Sequence, residues 1–167
     1  NPDGLILEDI VPTEEDNYFR KRLLIGEVHD ENAYLLDGVS GHAGIFSNAY
    51  DLAKYAQLFL NGGTWLGNRI FPAEQIEDFT KRQEMSIGSD RAIGWDTPSR
   101  KGKSSAGDYF SSHSYGHLGF TGTSLWVDQE NEIIVVLLTN RVHPTRDTKG
   151  MYAVRRKFHT EIMKAIL

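Results

Sequence analysis

The chain contains no cysteine, only 5 prolines and 3 methionines, and less base than acid, with 18 Lys and Arg against 23 Asp and Glu in 167 residues. Without thiols there is no disulfide framework, no cysteine-ligated zinc and no thiol nucleophile, and the chain is indifferent to the redox poise of its compartment. A net charge of −5 argues against nucleic acid as a partner, because binding phosphate takes a basic surface. No apolar run approaches the ~20 residues that a membrane span needs, so no transmembrane segment is expected in these residues. What is present is ordinary globular material: 40% hydrophobic, 25% charged and 11% aromatic residues. That composition excludes a disordered or fibrous polymer. A chain of this length buries roughly 70% of its unfolded surface in one domain.

Charge is unevenly spread. Acids such as Glu8, Asp9, Glu14, Glu15 and Asp16 crowd the first forty residues, where the only cations are Arg20, Lys21 and Arg22. Residues 141–167 reverse the balance with Arg141, Arg146, Arg155, Arg156 and Lys157, and the two ends are expected to meet in the fold or in an assembly. The opening Asn1-Pro2-Asp3-Gly4 carries neither an initiator Met nor a signal peptide, and reads as the middle of a longer protein.

Up to about Ser40 the text is irregular and polar, broken by Pro12, Gly26 and Gly38, and is expected to be an extended, wrapping segment. Leu52, Tyr55, Ala56, Phe59 and Leu60 then repeat at helical spacing and predict a helix from about Ala49 to Leu60. Asn48 offers its N-cap and Gly62-Gly63 its stop. A second helix is expected to open at Pro72 and run to about Arg82 on Ile76 and Phe79. Beyond Ile87 the period changes to strands: Ala92–Trp95, Gly119–Val127 and Glu132–Thr139, the last two joined as an antiparallel hairpin through Asp128–Asn131. Because Ile133–Leu138 is apolar on both faces, that strand is expected to be central and covered on both sides. Thr97–His113, rich in Ser, Gly and Lys, is the expected mobile loop. Met151–Leu167 predicts a C-terminal helix with Val154, Phe158, Ile162, Ala165 and Ile166 on its apolar face. The fold class is α+β, with a helical subdomain and wrapping segment over 1–86 and antiparallel strands plus a closing helix over 87–167.

The densest constellation is Tyr115-Gly116-His117-Leu118-Gly119-Phe120-Thr121-Gly122-Thr123-Ser124, where three glycines admit close approach of a ligand or another backbone. It is not a dinucleotide loop, because a strand follows where that motif needs a helix. Gly102-Lys103-Ser104 is no phosphate loop either, since Thr97 stands where the required glycine should be. His29, Asp30, Glu31 and His42 are ligand types, but adjacent side chains diverge in extended chain and no His-Glu-x-x-His spacing exists. Hydrogen bonding within a loop is their expected use, and no metal is assigned. Trp65, Trp95 and Trp126 are expected in the core or at subdomain contacts rather than as a carbohydrate platform. His113 and His143 are expected to be exposed.

Gly116-His117-Leu118-Gly119-Phe120-Thr121-Gly122-Thr123, with the strand ending Leu137-Leu138-Thr139-Asn140-Arg141, resembles the third active-site motif of the serine β-lactamase and penicillin-binding-protein superfamily. It is most similar to class C-type esterases and peptidases, in which His-x-Gly stands for Lys-Thr-Gly. Gly41-His42-Ala43-Gly44-Ile45-Phe46-Ser47-Asn48-Ala49-Tyr50-Asp51-Leu52-Ala53 is similar to a helical-domain segment of the same family. With Val28-His29-Asp30-Glu31-Asn32-Ala33 it resembles the β-lactamase-like domains fused to bacterial glycoside hydrolases. The resemblance covers about residues 20–167 and implies a hydrolase without cofactor, with a periplasmic or extracellular location. It implies that His117 contacts the substrate carbonyl region or carboxylate, that Gly119 keeps the groove open, and that the Phe120 N–H is one of two oxyanion-hole donors. Thr121 and Tyr115 become substrate contacts by the same likeness.

The departures are as informative. No Ser in the sequence has Lys three residues later, so the Ser-x-x-Lys nucleophile is missing from these residues. Tyr109-Phe110-Ser111 is the nearest match to the Tyr-x-Asn motif, and it is misplaced. The chain is therefore expected to be the C-terminal portion of a serine hydrolase acting by acyl-enzyme on an ester, amide or β-lactam. Its partner would be the N-terminal half of the same polypeptide or a second copy, and its substrate a small molecule or peptide. Two other readings stay open: a catalytically silent binding or structural module, and metal-dependent hydrolysis through His29 and His42.

Overall fold

The computed structural model describes residues 7–83 and 88–167, so of the sequence expectations only the start of the wrapping segment and the Glu84–Ile87 boundary lie outside the described residues. The chain forms two compact units, residues 1–48 with 139–149 and residues 49–138 with 150–167.

The first unit has little regular structure. A 3-10 turn at Leu7–Asp9 precedes the two-residue strands β1 (Glu15–Asp16) and β2 (Arg22–Leu23), which pair antiparallel, and the short helix α1 (Glu31–Leu35). Polar contacts hold these pieces. Asp16 is buried and accepts hydrogen bonds from the amides of Tyr18, Phe19 and Arg20 at 2.8–2.9 Å. Arg20 returns Nε to the same carboxylate at 3.1 Å and sends its guanidinium to the carbonyls of Val28 and His29. Asp30 caps α1 by accepting the Ala33 amide at 2.9 Å, which satisfies one of the orphan donors of the first turn.

The second unit is a three-layer arrangement around one small sheet. Helix α2 (Ala49–Leu60) occupies the span that the periodicity predicts. Gly62 at φ 59° ends it, with its own amide on Phe59 O and the Gly63 amide on Leu58 O, the paired bonds of a Schellman motif. The two-residue hairpin β3 (Thr64–Trp65) and β4 (Asn68–Arg69) follows. Helix α3 (Ala73–Thr80) is shorter than expected, and it buries Ile76 and Thr80 rather than Ile76 and Phe79. Residues four apart share a face, and the Thr80 hydroxyl is satisfied on Ile76 O at 2.7 Å, so it can face inward.

The sheet comprises β5 (Tyr115–Leu118), β6 (Ser124–Asp128) and β7 (Ile133–Leu137), all antiparallel in the order β5-β6-β7. Three expectations change here. Ala92–Trp95 is a tight loop closed by Ala92 N–H on Trp95 O, with Gly94 at φ 78°, and only a single bridge from Asp96 to Gly116 touches the sheet. The predicted strand Gly119–Val127 is two things, a turn over 119–123 and a strand from Ser124. Among the described residues β7 is an edge strand and β6 is central. The apolar run of β7 reflects cover on both faces: Ile134 packs on the Ala56, Phe59, Ile76, Tyr115 and Val127 cluster, while Ile133 and Val135 pack on the Ala106, Phe110, Trp126 and Met163 cluster.

The composition of Thr97–His113 suggested a free loop, yet Ala106 and Phe110 are buried in that second cluster and anchor it. The connection from β6 to β7 is the expected hairpin, closed by buried Asp128, which accepts from the Ser111 amide and hydroxyl and from the Asn131 and Glu130 amides. Helix α4 (Met151–Ile166) covers the Trp126 face. Its buried residues are Arg155, His159 and Met163, with Phe158 and Ile162 beside them, whereas Val154 and Ile166 are exposed. The helix is thus rotated by about one residue from the face that hydrophobicity alone selects. Arg155 and His159 turn inward because backbone and hydroxyl partners await them there. Among the described residues no helix is long and apolar enough to cross a membrane.

Candidate functional site

The glycine-rich constellation folds as strand β5 and the turn that reverses it into β6. Leu118 pairs with Ser124, leaving Gly119–Thr123 as the connection. The Gly119 amide donates to Thr123 O at 2.9 Å and the Gly122 amide to Gly119 O at 3.1 Å, so the turn is closed from within. A Cβ on Gly119 would stand 2.1 Å from the Thr123 hydroxyl, so any side chain there would displace that hydroxyl from its present position. Gly116 makes room for a side chain instead. A Cβ there would meet the Trp126 ring at 2.4 Å, and its absence seats the indole against β5.

The alternation of a strand places Tyr115 and His117 on one face and Gly116 and Leu118 on the other. His117, at the outer end, is exposed; Phe120 is 58% exposed, and Gly119 and Thr121 are half-buried. His117 lies within β5, one residue from its end, and Gly119, Phe120 and Thr121 lie in the turn beyond it. Tyr115 does not join them. It is fully buried, edge-on to Trp95 with ring centroids 5.3 Å apart, and burial pushes its phenol well above the ordinary value. Its place is core packing, and it offers no surface for the expected substrate contact.

Helix α4 holds the turn from the other face. Arg155, 8% exposed, donates from Nη2 to the carbonyls of Gly119 and, at 2.9 Å, Thr123. One helical turn on, His159 Nε2 shares a hydrogen bond of 2.9 Å with the Ser124 hydroxyl. Burial, with the Arg155 charge adding to it, lowers His159 to about 4, so the imidazole is neutral at pH 7. Sequence reasoning missed both residues. Their signal was two polar side chains at i and i+4 on a helix otherwise apolar on that side.

In the first unit the polar residues weighed as metal ligands all bind protein partners. Glu14 is 4% exposed and takes His29 Nε2 at 2.7 Å together with Arg146 Nε and Nη2 at 2.6–3.0 Å. Burial works against the Glu14 charge, but the hydrogen bonds from Arg146 and His29 outweigh it and hold the carboxyl down at about 2. Arg146 also pairs with Glu31 at 2.8 Å, so the acidic start and a basic residue of the later segment do meet. Asp30, besides capping α1, receives His42 Nε2 at 2.9 Å, and His42 Nδ1 meets the Ser40 hydroxyl at 2.5 Å. The described residues hold no cluster of three or more His, Asp and Glu arranged for a metal ion.

The chain thus presents an α+β unit with a glycine-rich hairpin turn, an exposed histidine at the strand end and a helix holding the turn. A match to the Beta-lactamase family spans residues 11–159, and the chain belongs to that family. Proteins provisionally named D-alanyl-D-alanine carboxypeptidase are similar to it: one from Salmonella gallinarum is 39% identical over 131 residues and one from Salmonella newport is 38% identical over 128. In each case 74% of this chain matches 29% of the relative, so the chain spans less than a third of the length of these relatives. The structure resembles that of a beta-lactamase from Mycobacterium bovis with a TM-score of 0.57 and 23% identity, over 75% of this chain and 45% of that one. This last likeness concerns the fold.

Proposed function

We propose that this chain contributes the third-motif wall of a serine hydrolase that acylates itself on an ester, amide or β-lactam, with the nucleophilic Ser-x-x-Lys supplied by a preceding segment of the same polypeptide. The observation that carries the reading is the exposure of His117 near the end of β5 and of Phe120 in the turn that follows, with the Gly119–Phe120 peptide held by Arg155. A closed turn with a fixed peptide orientation suits an oxyanion donor, because such a donor works by being in place before charge develops. In this reading the Phe120 N–H is that donor, and His117 binds the substrate carbonyl region or carboxylate from the strand end.

The names of the Salmonella relatives favour a D-alanyl peptide or related ester as substrate, and with it a cell-envelope location. Histidine in place of lysine points the same way, since a lysine ammonium is the stronger electrostatic partner for a β-lactam carboxylate. The test is made on the full-length protein with p-nitrophenyl acetate and a D-alanyl-D-alanine peptide, together with mass mapping of the residue labelled by a fluorophosphonate. Acylation of a Ser in a Ser-x-x-Lys context, and a roughly 10–100-fold lower kcat/KM in His117→Ala, are expected. Absence of any labelled serine would leave the catalytically silent module, and unchanged kinetics in His117→Ala would remove that residue from the site.

A further inference from the structure

We infer that Arg155 is a positioning residue that acts on the oxyanion donor through the Gly119–Phe120 peptide bond. The kinetic part of this inference rests on the proposed function, and the structural part stands without it. A trans peptide holds its C=O and N–H on opposite sides, and among the described residues the cis bond is elsewhere, at His143-Pro144. Arg155 binds the Gly119 oxygen from the α4 side, so the N–H of the same peptide unit, which belongs to Phe120, is directed away from α4. One nitrogen, Nη2, reaches both carbonyls that the turn uses to close on itself, those of Gly119 and Thr123. The guanidinium therefore fixes the plane of the 119–120 peptide as well as the ends of the turn.

Its charge adds a second effect. A cation hydrogen-bonded to a carbonyl oxygen draws electron density through the amide and makes the N–H of that peptide a stronger donor, as in any polarised hydrogen-bond chain in a low-dielectric setting. Arg155 is nearly buried, and burying a guanidinium is costly unless its hydrogen bonds repay it. Docking a helix on a sheet needs only an apolar residue at that place, as Met163 shows two turns along the same face. The bond between His159 and Ser124 pins the next residue after the turn, so α4 holds residues 119–124 at three points, Gly119 O, Thr123 O and the Ser124 hydroxyl.

The test compares Arg155→Met, Arg155→Lys and, as a control on the same helix, Arg156→Met, which loses only an exposed pair with Asp108. All are made in the full-length protein. Arg155→Met is expected to lower kcat for p-nitrophenyl acetate by about 10–100-fold with KM unchanged within about twofold. Binding of a boronic acid that forms a tetrahedral adduct should weaken by a similar factor, and Arg155→Lys should recover part of both. The Gly119 amide, which closes the turn on Thr123 O, should exchange at least about tenfold faster in Arg155→Met by NMR, while amides of α2 keep their wild-type rates. Unchanged Gly119 exchange, or kcat and KM falling and rising together, would overturn the inference. If wild-type protein shows neither hydrolysis nor acylation, the functional reading fails, and the exchange comparison still decides whether Arg155 holds the turn.

Discussion

Among the described residues the two units differ in what they bury: buried aromatic side chains belong to the second, and the buried polar residues of the first are all ionisable. In the second unit the buried set is mostly apolar and aromatic, with Trp126, Tyr115, Val127 and Met163 fully enclosed between α2, the sheet and α4. In the first, Glu14, Asp16 and His29 are buried beside Leu24, Val28 and Ala33, while Val39 and Ile45 are more than 80% exposed. Apolar burial is non-directional and follows a period that can be read along the chain. Charge-assisted bonds need particular partners at particular distances, and Glu14 finds Arg146 across 132 positions of sequence. A unit specified in that way keeps its shape only while its ionisation states hold.

Substitutions can break this contrast, and the largest effect is expected at Trp126. Trp126→Ala should cost about 3–5 kcal/mol, read as a lower Tm and as faster hydrogen exchange in β5, β6 and α4, with the amides around α1 unchanged. Acid sharpens the contrast next. His159 is depressed from 6.5 to about 4 in the folded protein, so the unfolded chain binds its proton first as pH falls. Stability from this group is complete above pH 6.5, declines between 6.5 and 4, and levels off below; the integrated loss is about 3 kcal/mol. His159→Asn should flatten that limb of the pH–stability curve.

Glu14, lowered from 4.5 to about 2, contributes stability that is present above pH 4.5 and lost as pH falls toward 2, so the first unit should loosen in a separate, more acidic window. Glu14→Gln should cost about 2 kcal/mol, below the range for a fully buried pair because Arg146 is 27% exposed on its side chain. Smallest of these, Asp30→Ala should cost about 1 kcal/mol through loss of the α1 cap, detectable as faster exchange at Ala33.

The same contrast explains what was legible in the sequence. The bounds of α2 followed from its apolar spacing and its double glycine, and α4 from a stripe long enough to survive a one-residue error in its face. Arg155 and His159 fall outside that apolar stripe, since nothing in a hydrophobic pattern says that two carbonyls and a hydroxyl lie opposite them. Tyr115 was misjudged for the converse reason: proximity to a motif outweighed its place one pleat inside the strand. Ala92–Trp95 looked like a strand through its composition, but a positive φ at Gly94 and a bond closing on Trp95 make it a turn. At the candidate site the residue types of the motif were readable, and its support from α4 was not, because that support depends on contacts more than thirty residues apart in sequence.

The central claim is that the β5 end and its turn form a wall of an acylation site. The most direct measurement is a crystal structure of the full-length protein acylated by a slowly released ester or β-lactam. The account predicts the acyl carbonyl oxygen within hydrogen-bonding distance of the Phe120 nitrogen, with His117 beside the remainder of the ligand and Arg155 still on the Gly119 oxygen. An acyl group held elsewhere, with residues 117–121 facing only solvent, would contradict it.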